Sequence, residues 1–123
     1  MGLKYEFTDE TTNYYGRILH RIKRHLDCRI GGWIEKEENL SQEGNCWVDD
    51  NARVSGEGIA AGNAKIYGDA WVEGYARVCG KAKVYDNARV RGVTCVREEA
   101  EVFGNAEVFG DMKINSALFD TQS

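Results

Sequence analysis

The side chains best suited to acid–base or metal chemistry lie in the first quarter of the sequence. His20 and His25 are the two histidines of the chain, and Cys28 follows shortly after them. A general base must reach its substrate by a hydrogen bond, and a catalytic zinc ion typically takes three protein ligands. An HxxxxH spacing with one nearby cysteine is weak evidence for such a set, and solvated or hydrogen-bonded histidines are the expected alternative. We therefore predict no catalytic residue, no metal site and no cofactor.

A second group of side chains is suited to binding rather than to reaction. It consists of cations and aromatic rings that recur at a spacing of eighteen residues, Arg53, Trp71 and Arg89 being one series. Guanidinium groups bind phosphates and carboxylates, and aromatic rings stack on bases or bury apolar surface at interfaces. A common spacing of this kind requires an architecture that repeats every eighteen residues.

The sequence repeats every six residues, and three such repeats give the spacing of eighteen. From Asn45 it divides into twelve unbroken hexads over residues 45–116: NCWVDD, NARVSG, EGIAAG, NAKIYG, DAWVEG, YARVCG, KAKVYD, NARVRG, VTCVRE, EAEVFG, NAEVFG and DMKINS. The fourth place is Val or Ile in eleven hexads, the second is Ala in eight, and the sixth is Gly in eight. Short internal periods mark solenoids, and a hexapeptide period marks a parallel β-helix.

Each hexad is expected to form one side of a triangular prism. The fourth-place aliphatic and the small second-place residue point inward, whereas the third and fifth places point outward. Three hexads make a coil, so twelve predict about four coils. The alternative is an antiparallel sandwich of short strands, whose turns would recur irregularly, roughly every 8–12 residues. Twelve hexads without an insertion favour the β-helix.

This pattern resembles the left-handed parallel β-helix of the hexapeptide-repeat family. The resemblance implies an all-β fold, a left-handed parallel β-helix of about four triangular coils with a small N-terminal β cap. The handedness comes from the resemblance alone, because the usual crossover preference is right-handed. We expect a capping module at 1–44, the β-helix at 45–116 and a C-terminal tail at 117–123.

Stacking every third hexad sorts the outward side chains into three faces. One, which we call the Arg/Trp face, carries the candidate ligand- or partner-binding residues Arg53, Trp71, Arg89 and Arg91. Their chemistry suits a nucleotide, a phosphate or an acidic protein surface. The alternative is a solvated face whose charges are balanced by its own glutamates.

A second face, which we call the Lys/Tyr face, carries one column of Trp47, Lys65, Lys83 and Glu101 beside a column of mostly aromatic side chains. Stacked rings either stabilise the coil within one chain or form a subunit or partner interface. The candidate interface comprises Tyr67, Tyr85 and Phe103, which we call the aromatic ladder, together with Phe109 and Phe119 near the end of the coil. We expect a homo-oligomer, with a trimer favoured.

The N-terminal segment does not follow the period. KYEFT and RILHRIKRH are expected to pair as strands around DETTNYYG. A helix in the second segment is the alternative, since Ile18, Ile22 and Leu26 fall at i, i+4 and i+8. We favour the strands, and expect this module to cap the first coil and cover its open strand edge.

Composition limits the classes of function. The chain has 123 residues, 29% of them charged, and a net charge of −4, which argues against general nucleic-acid binding. No apolar run reaches membrane-spanning length, and no secretory signal is visible. Cys79 and Cys95 fall on one face, about 8 Å apart between Cα atoms, too far for a disulfide. We expect a cytoplasmic protein with reduced thiols.

A closer resemblance lies at the start of the coil. GGWIEKEENLS followed by GNCWVDDNARV is similar to a group of small hexapeptide-repeat proteins carried by bacteriophages and prophages. This resemblance implies a phage-encoded accessory protein in the cytoplasm of a bacterial host.

Three functions follow from these resemblances. The well-known acyltransferases of the family use a histidine base and loops extruded from the coil, and γ-class carbonic anhydrases hold zinc with three histidines. The hexads contain neither histidine nor insertion. The leading hypothesis is therefore a non-enzymatic inhibitor of bacterial antiviral defence that binds a host defence protein or sequesters a small nucleotide signal. The alternatives are a structural or assembly accessory protein of a phage and a degenerate hexapeptide acyltransferase.

Overall fold

The computed structural model describes residues 3–111 and 113–115. Apart from a 3-10 turn at Glu37–Asn39, the regular elements of this part of the chain are strands. Three strands lie in the N-terminal segment, and twelve strands of two residues follow at intervals of six. They are β1 (Tyr5–Tyr14), β2 (Arg17–Arg24), β3 (Ile30–Ile34), β4 (Trp47–Val48), β5 (Arg53–Val54), β6 (Ile59–Ala60), β7 (Lys65–Ile66), β8 (Trp71–Val72), β9 (Arg77–Val78), β10 (Lys83–Val84), β11 (Arg89–Val90), β12 (Cys95–Val96), β13 (Glu101–Val102), β14 (Glu107–Val108) and β15 (Lys113–Ile114).

The strands form three sheets around a common core. Two have four strands each, in the orders β4-β7-β10-β13 and β6-β9-β12-β15, and the third has the order β1-β2-β3-β5-β8-β11-β14. Within the coil, neighbouring strands are parallel and pair residues eighteen apart, as Arg53 pairs with Trp71. The predicted fold, an all-β parallel β-helix of about four coils with an N-terminal β cap, is confirmed.

The core is filled as the hexads predict. Every described fourth-place side chain, from Val48 to Ile114, is buried, and so is every described second-place residue from Cys46 to Ala106. Burying one valine side chain contributes roughly 1.5–3 kcal/mol. Two-residue strands bury this surface only by stacking, so each coil depends on its neighbours for stability.

The corners of the prism require backbone with positive φ. At Gly92, where φ is 79°, an added Cβ would lie 2.5 Å from a backbone nitrogen of the next coil. Asp50 and Asp86 adopt the same region, with φ of 57° and 60°. Each accepts a hydrogen bond at Oδ2 from the backbone N–H of a glycine one coil further, Gly68 and Gly104 respectively, at 3.1 Å.

The N-terminal segment forms the predicted hairpin, with a shorter connection than expected. β1 continues through most of DETTNYYG, and the turn is only Tyr15–Gly16, both with positive φ as two-residue hairpins require. An irregularity between Phe7 and Thr11 accommodates the extra strand length. The choice of strand over helix for RILHRIKRH is confirmed by β2. The apparent helical spacing is not a buried stripe, because Leu26 is 90% exposed.

The cap continues the coil rather than resting on it. β3 pairs in parallel with β5, placing Ile34 beside Val54, and Leu40 forms a parallel bridge with Ala60. Ile34 and Leu40 are fully buried and join the same core. Tyr5 of β1 is also buried in this core and donates a hydrogen bond from its hydroxyl to the Leu40 carbonyl at 2.6 Å. The hairpin thus closes the first coil with apolar surface.

Candidate functional site

The structure brings the predicted residues of the Arg/Trp face together. Arg53, Trp71 and Arg89 are register partners on β5, β8 and β11, and Arg91 follows directly after β11. The eighteen-residue spacing therefore forms a column of side chains on the outside of the seven-stranded sheet.

The tip of the N-terminal hairpin covers part of this column. Tyr14 meets the Trp71 ring edge-on at 4.9 Å between centroids, and Tyr15 lies parallel to it at 5.7 Å. Arg53 Cζ lies 4.1 Å from the centre of the Tyr14 ring. Trp71 is only 7% exposed, and its Nε1 donates a hydrogen bond to Ser55 Oγ at 3.2 Å. The indole that was predicted to meet a ligand is enclosed by the protein's own tyrosines.

The remaining cations of the Arg/Trp face also have partners within the chain. Arg89 Cζ lies 5.1 Å from the centre of the Trp71 ring. Arg91 lies 3.8 Å from a Glu73 carboxylate oxygen and 3.6 Å from one of Glu107. The face is therefore a network of cation–π contacts and ion pairs in which the positive charges are largely satisfied.

The aromatic ladder stacks as one continuous column. Tyr67 and Tyr85 are parallel at 4.9 Å between centroids, and Tyr85 and Phe103 follow at 5.3 Å. Tyr85 donates a hydrogen bond from its hydroxyl to Glu101 Oε1 at 2.7 Å, and this bond, with burial, raises the pKa of Tyr85 to about 12. Phe109 lies apart from the ladder, beyond β14, and is 60% exposed. Phe119 lies outside the described residues.

A pocket of about 470 Å³ lies where the N-terminal segment meets the Lys/Tyr face. We call it the junction pocket, and its lining side chains include Arg24, Arg29, Trp47, Asp49, Asp50, Lys65, Tyr67 and Lys83. Sequence reasoning missed this site because half of its cations belong to the segment that does not follow the period. The lysines gave a signal, since they occupy the same place in hexads one coil apart.

The arginines of the junction pocket are paired with carboxylates, whereas its lysines form no ion pair within 4 Å in the part of the chain that the structure describes. Arg24 forms a bidentate ion pair with Asp27, and its Cζ lies 4.9 Å from the Trp47 ring centre. Arg29 is paired with Asp49 at 2.6 Å. Lys65 Nζ, by contrast, donates a hydrogen bond to a backbone carbonyl at 2.8 Å. Within the described residues, Trp47 is almost fully buried and its Nε1 has no hydrogen-bond partner.

The two histidines lie in the hairpin, away from the coil. The His20 ring stacks on Phe7 at 4.4 Å, and His25 Nε2 lies 3.7 Å from a Glu6 carboxylate oxygen. Cys28 is exposed. Across residues 3–111 and 113–115, no group of three or more His, Cys, Asp or Glu side chains is arranged to hold a metal ion.

Cys79 and Cys95, which lie on the third face in adjacent coils, are free thiols. Cys79 N–H donates to the carbonyl of Val96, the residue next to Cys95. Burial, followed by the neighbouring Cys95 thiol, raises the pKa of Cys79. A raised pKa keeps the thiol protonated and makes it a weaker nucleophile.

The comparison with known proteins gives one short matching segment, which is consistent with the fold. No protein-family model matches the sequence. A protein of Escherichia coli (strain K12), described as Uncharacterized acetyltransferase YdcK, is 51% identical over 37 residues, which cover 29% of this chain and 11% of that protein. Most of the relative therefore lies outside the matched segment. In the part of this chain that the structure describes, no helix has the length and apolar character needed to cross a membrane. The match and the three-sided coil fit a hexapeptide-repeat β-helix.

Proposed function

We propose that this chain is a non-enzymatic binding protein of phage or prophage type that inhibits bacterial antiviral defence. It acts by occupying a host defence protein or by sequestering a nucleotide signal. The phage setting rests on the likeness of GGWIEKEENLS and GNCWVDDNARV to phage-borne proteins. The binding role rests on the geometry of the coil.

The junction pocket is the observation that carries the binding role. It brings together four cations, two carboxylates and two aromatic side chains, an excess of positive charge on a chain whose net charge is −4. Trp47, Lys65, Tyr67 and Lys83 project from a ladder of parallel backbone hydrogen bonds, such as Asp49 N–H to the Ile66 carbonyl at 2.8 Å, and Arg24 and Arg29 belong to the N-terminal segment. A surface held by such a ladder loses little conformational entropy when a partner binds.

The positions of the histidines support the non-enzymatic proposal. His20 stacks on an aromatic ring and His25 lies beside a carboxylate, both on the hairpin. The description of the E. coli relative as an acetyltransferase favours a second candidate, a degenerate acyltransferase. Titration with acyl-CoA, beginning with acetyl-CoA, separates the two, because a hexapeptide acyltransferase binds such a donor and the proposed binding protein need not.

The proposed function is tested by phage plating. Bacterial strains that each carry one antiviral defence system are transformed with the gene, and a phage that the system restricts is plated on them. We expect plating to recover in at least one strain. No recovery across the panel, together with the protein being found in purified virions, would replace the proposal with the structural or assembly role.

We also propose that the protein is a homo-oligomer, with a trimer favoured. Phe109, directly after β14, leaves 60% of its surface exposed, and exposed aromatic side chains are enriched at subunit interfaces. Native mass spectrometry of the protein purified from bacteria measures the subunit number and any retained ligand together. A monomeric mass would contradict the proposal.

A further inference from the structure

Two lysines on the Lys/Tyr face lie directly opposite each other. Lys65 on β7 and Lys83 on β10 are register partners in adjacent parallel strands. Like charges opposed across strands repel, so such a pair persists most easily beside compensating negative charge. Lys83 is also the register partner of Glu101 on β13, whose carboxylate accepts the hydrogen bond from the Tyr85 hydroxyl. Within the described residues, the one hydrogen bond of Lys65 Nζ goes to the Asn45 carbonyl, and Lys83 forms no ion pair within 4 Å. The two ammonium groups can therefore still bind an anion.

The aromatic ladder ends beside these lysines. Tyr67 stacks on Tyr85 with one ring face. The position one coil earlier is Asp49, whose backbone N–H bonds to the Ile66 carbonyl beside Tyr67. No aromatic side chain occupies that place in the column; Asp49 fills it and holds Arg29, and all three side chains line the junction pocket. A planar ring that enters this pocket would therefore meet Tyr67 at the end of the ladder.

The walls of the pocket suit an anion with a planar group. Arg29 is held by Asp49, and Asp50 accepts a hydrogen bond from Gly68 N–H, so both carboxylates are already engaged. The volume, about 470 Å³, lies within the usual range for small-molecule sites. Trp47 also lines this pocket, but it is 3% exposed and so contributes only the edge of an apolar wall.

We propose that the junction pocket binds a nucleotide. The base stacks on Tyr67 as an additional rung of the ladder, and the phosphate lies between Lys65 and Lys83. This inference rests on the proposed binding function and names its ligand class. It places the ligand on the Lys/Tyr face, away from the Arg/Trp face, whose indole is enclosed by the hairpin tip.

The test is isothermal titration calorimetry of the full chain with ATP, adenosine and inorganic phosphate. We expect ATP to bind about tenfold or more tightly than either fragment, because stacking and phosphate binding each contribute. Tyr67→Leu, which keeps apolar volume but removes the ring, should weaken ATP binding about tenfold. Lys83→Glu should abolish it. Lys113→Glu is the matched control, an exposed lysine in the same hexad place on the third face, and should leave binding unchanged.

Three results would overturn the site. The first is the absence of saturable binding of ATP, GTP, CTP and UTP to the folded protein. The second is ATP binding no tighter than inorganic phosphate, which would indicate a simple anion site. The third is an equal loss of ATP affinity in Lys83→Glu and in the control Lys113→Glu. Thermal unfolding of both variants checks that they are folded.

Phage plating and nucleotide binding together show whether the pocket, the anti-defence function or both are wrong. Plating that recovers equally with wild type and Lys83→Glu would leave the anti-defence function standing and remove the pocket from it. Nucleotide binding without any recovery of plating would establish the pocket and contradict the function.

Discussion

The Arg/Trp face and the Lys/Tyr face are built from the same kinds of side chain on the same backbone. Both place cations in one column and rings in or beside it, at a spacing of one coil. On the Arg/Trp face the hairpin tip supplies Tyr14 and Tyr15, and each arginine has a ring or a carboxylate as partner. On the Lys/Tyr face the ladder stops at Tyr67 and two lysines oppose each other.

The difference shows that composition alone does not identify a binding face. Charges and rings that satisfy one another within the chain gain little from a ligand, because binding must first break those contacts. Lysines that form no ion pair within 4 Å incur a smaller loss. The face that is poorer in arginine is thus the better candidate for a ligand site.

The largest effect is expected from Trp71→Ala on the Arg/Trp face. Removing a buried indole that supports the hairpin tip should destabilise the protein by about 3 kcal/mol. Tyr67→Ala, at the half-buried end of the ladder, should cost about 1 kcal/mol. Chemical denaturation measures both, and equal losses would contradict the contrast between a closed and an open face.

Tyr14→Ala should have a smaller effect on the same face. The substitution removes the cation–π contact with Arg53 and the edge contact with Trp71, and it should cost about 1–1.5 kcal/mol. Tryptophan emission should shift to the red as Trp71 becomes solvated. Unchanged emission would mean that the tip does not shield the indole.

Tyr85→Phe tests the hydrogen bond within the ladder. The bond to Glu101 is charge-assisted but half-exposed, so its loss should cost about 0.5–1 kcal/mol. Because the pKa of Tyr85 is raised in the folded state, to about 12, this contribution is complete below the unfolded pKa near 10 and is lost as the pH rises towards 12. Phenolate absorbance and denaturation between these pH values measure it. Tyr67→Phe is the control, since within the described residues its hydroxyl makes no hydrogen bond.

The smallest effect on stability is expected from Lys83→Glu in the free protein. The substitution removes the like-charge pair with Lys65 but places a carboxylate opposite Glu101, the register partner of Lys83 on β13. These two changes oppose each other, so the free energy of unfolding should change by no more than about 0.5 kcal/mol. The change should shrink further in 1 M salt, at which the Debye length is about 3 Å. Lys113→Glu should leave stability nearly unchanged. A change of more than about 1 kcal/mol in Lys83→Glu at low salt would show that one of the two opposed pairs dominates.

The coil could be predicted from sequence because its determinants are local and periodic. The position of a residue within its hexad predicts whether its side chain points inward. Val54, Val72 and Val90 all occupy the fourth place and are fully buried, as predicted. The stacking of Tyr67 on Tyr85 follows from the same register. Prediction was reliable wherever one coil determines the position of the next.

The hairpin tip and the junction pocket could not be predicted in this way. Their geometry depends on how a segment without a period folds back on the coil, which brings Tyr14 onto Trp71 and Arg29 onto Asp49. Such contacts join residues that no spacing rule relates. The sequence indicated that DETTNYYG connects two strands, but it gave no information about the surface that this connection would cover.

The corner column of Asp50, Gly68, Asp86 and Gly104 bears on how such a chain can grow. Each aspartate accepts a hydrogen bond from the glycine of the following coil. Duplicating a coil that carries one of these aspartates would set two carboxylates against each other, whereas duplicating a glycine coil would set glycine against glycine, as Gly56, Gly74 and Gly92 already stack at another corner. Adding two successive coils would preserve the alternation and with it every aspartate–glycine hydrogen bond at this corner.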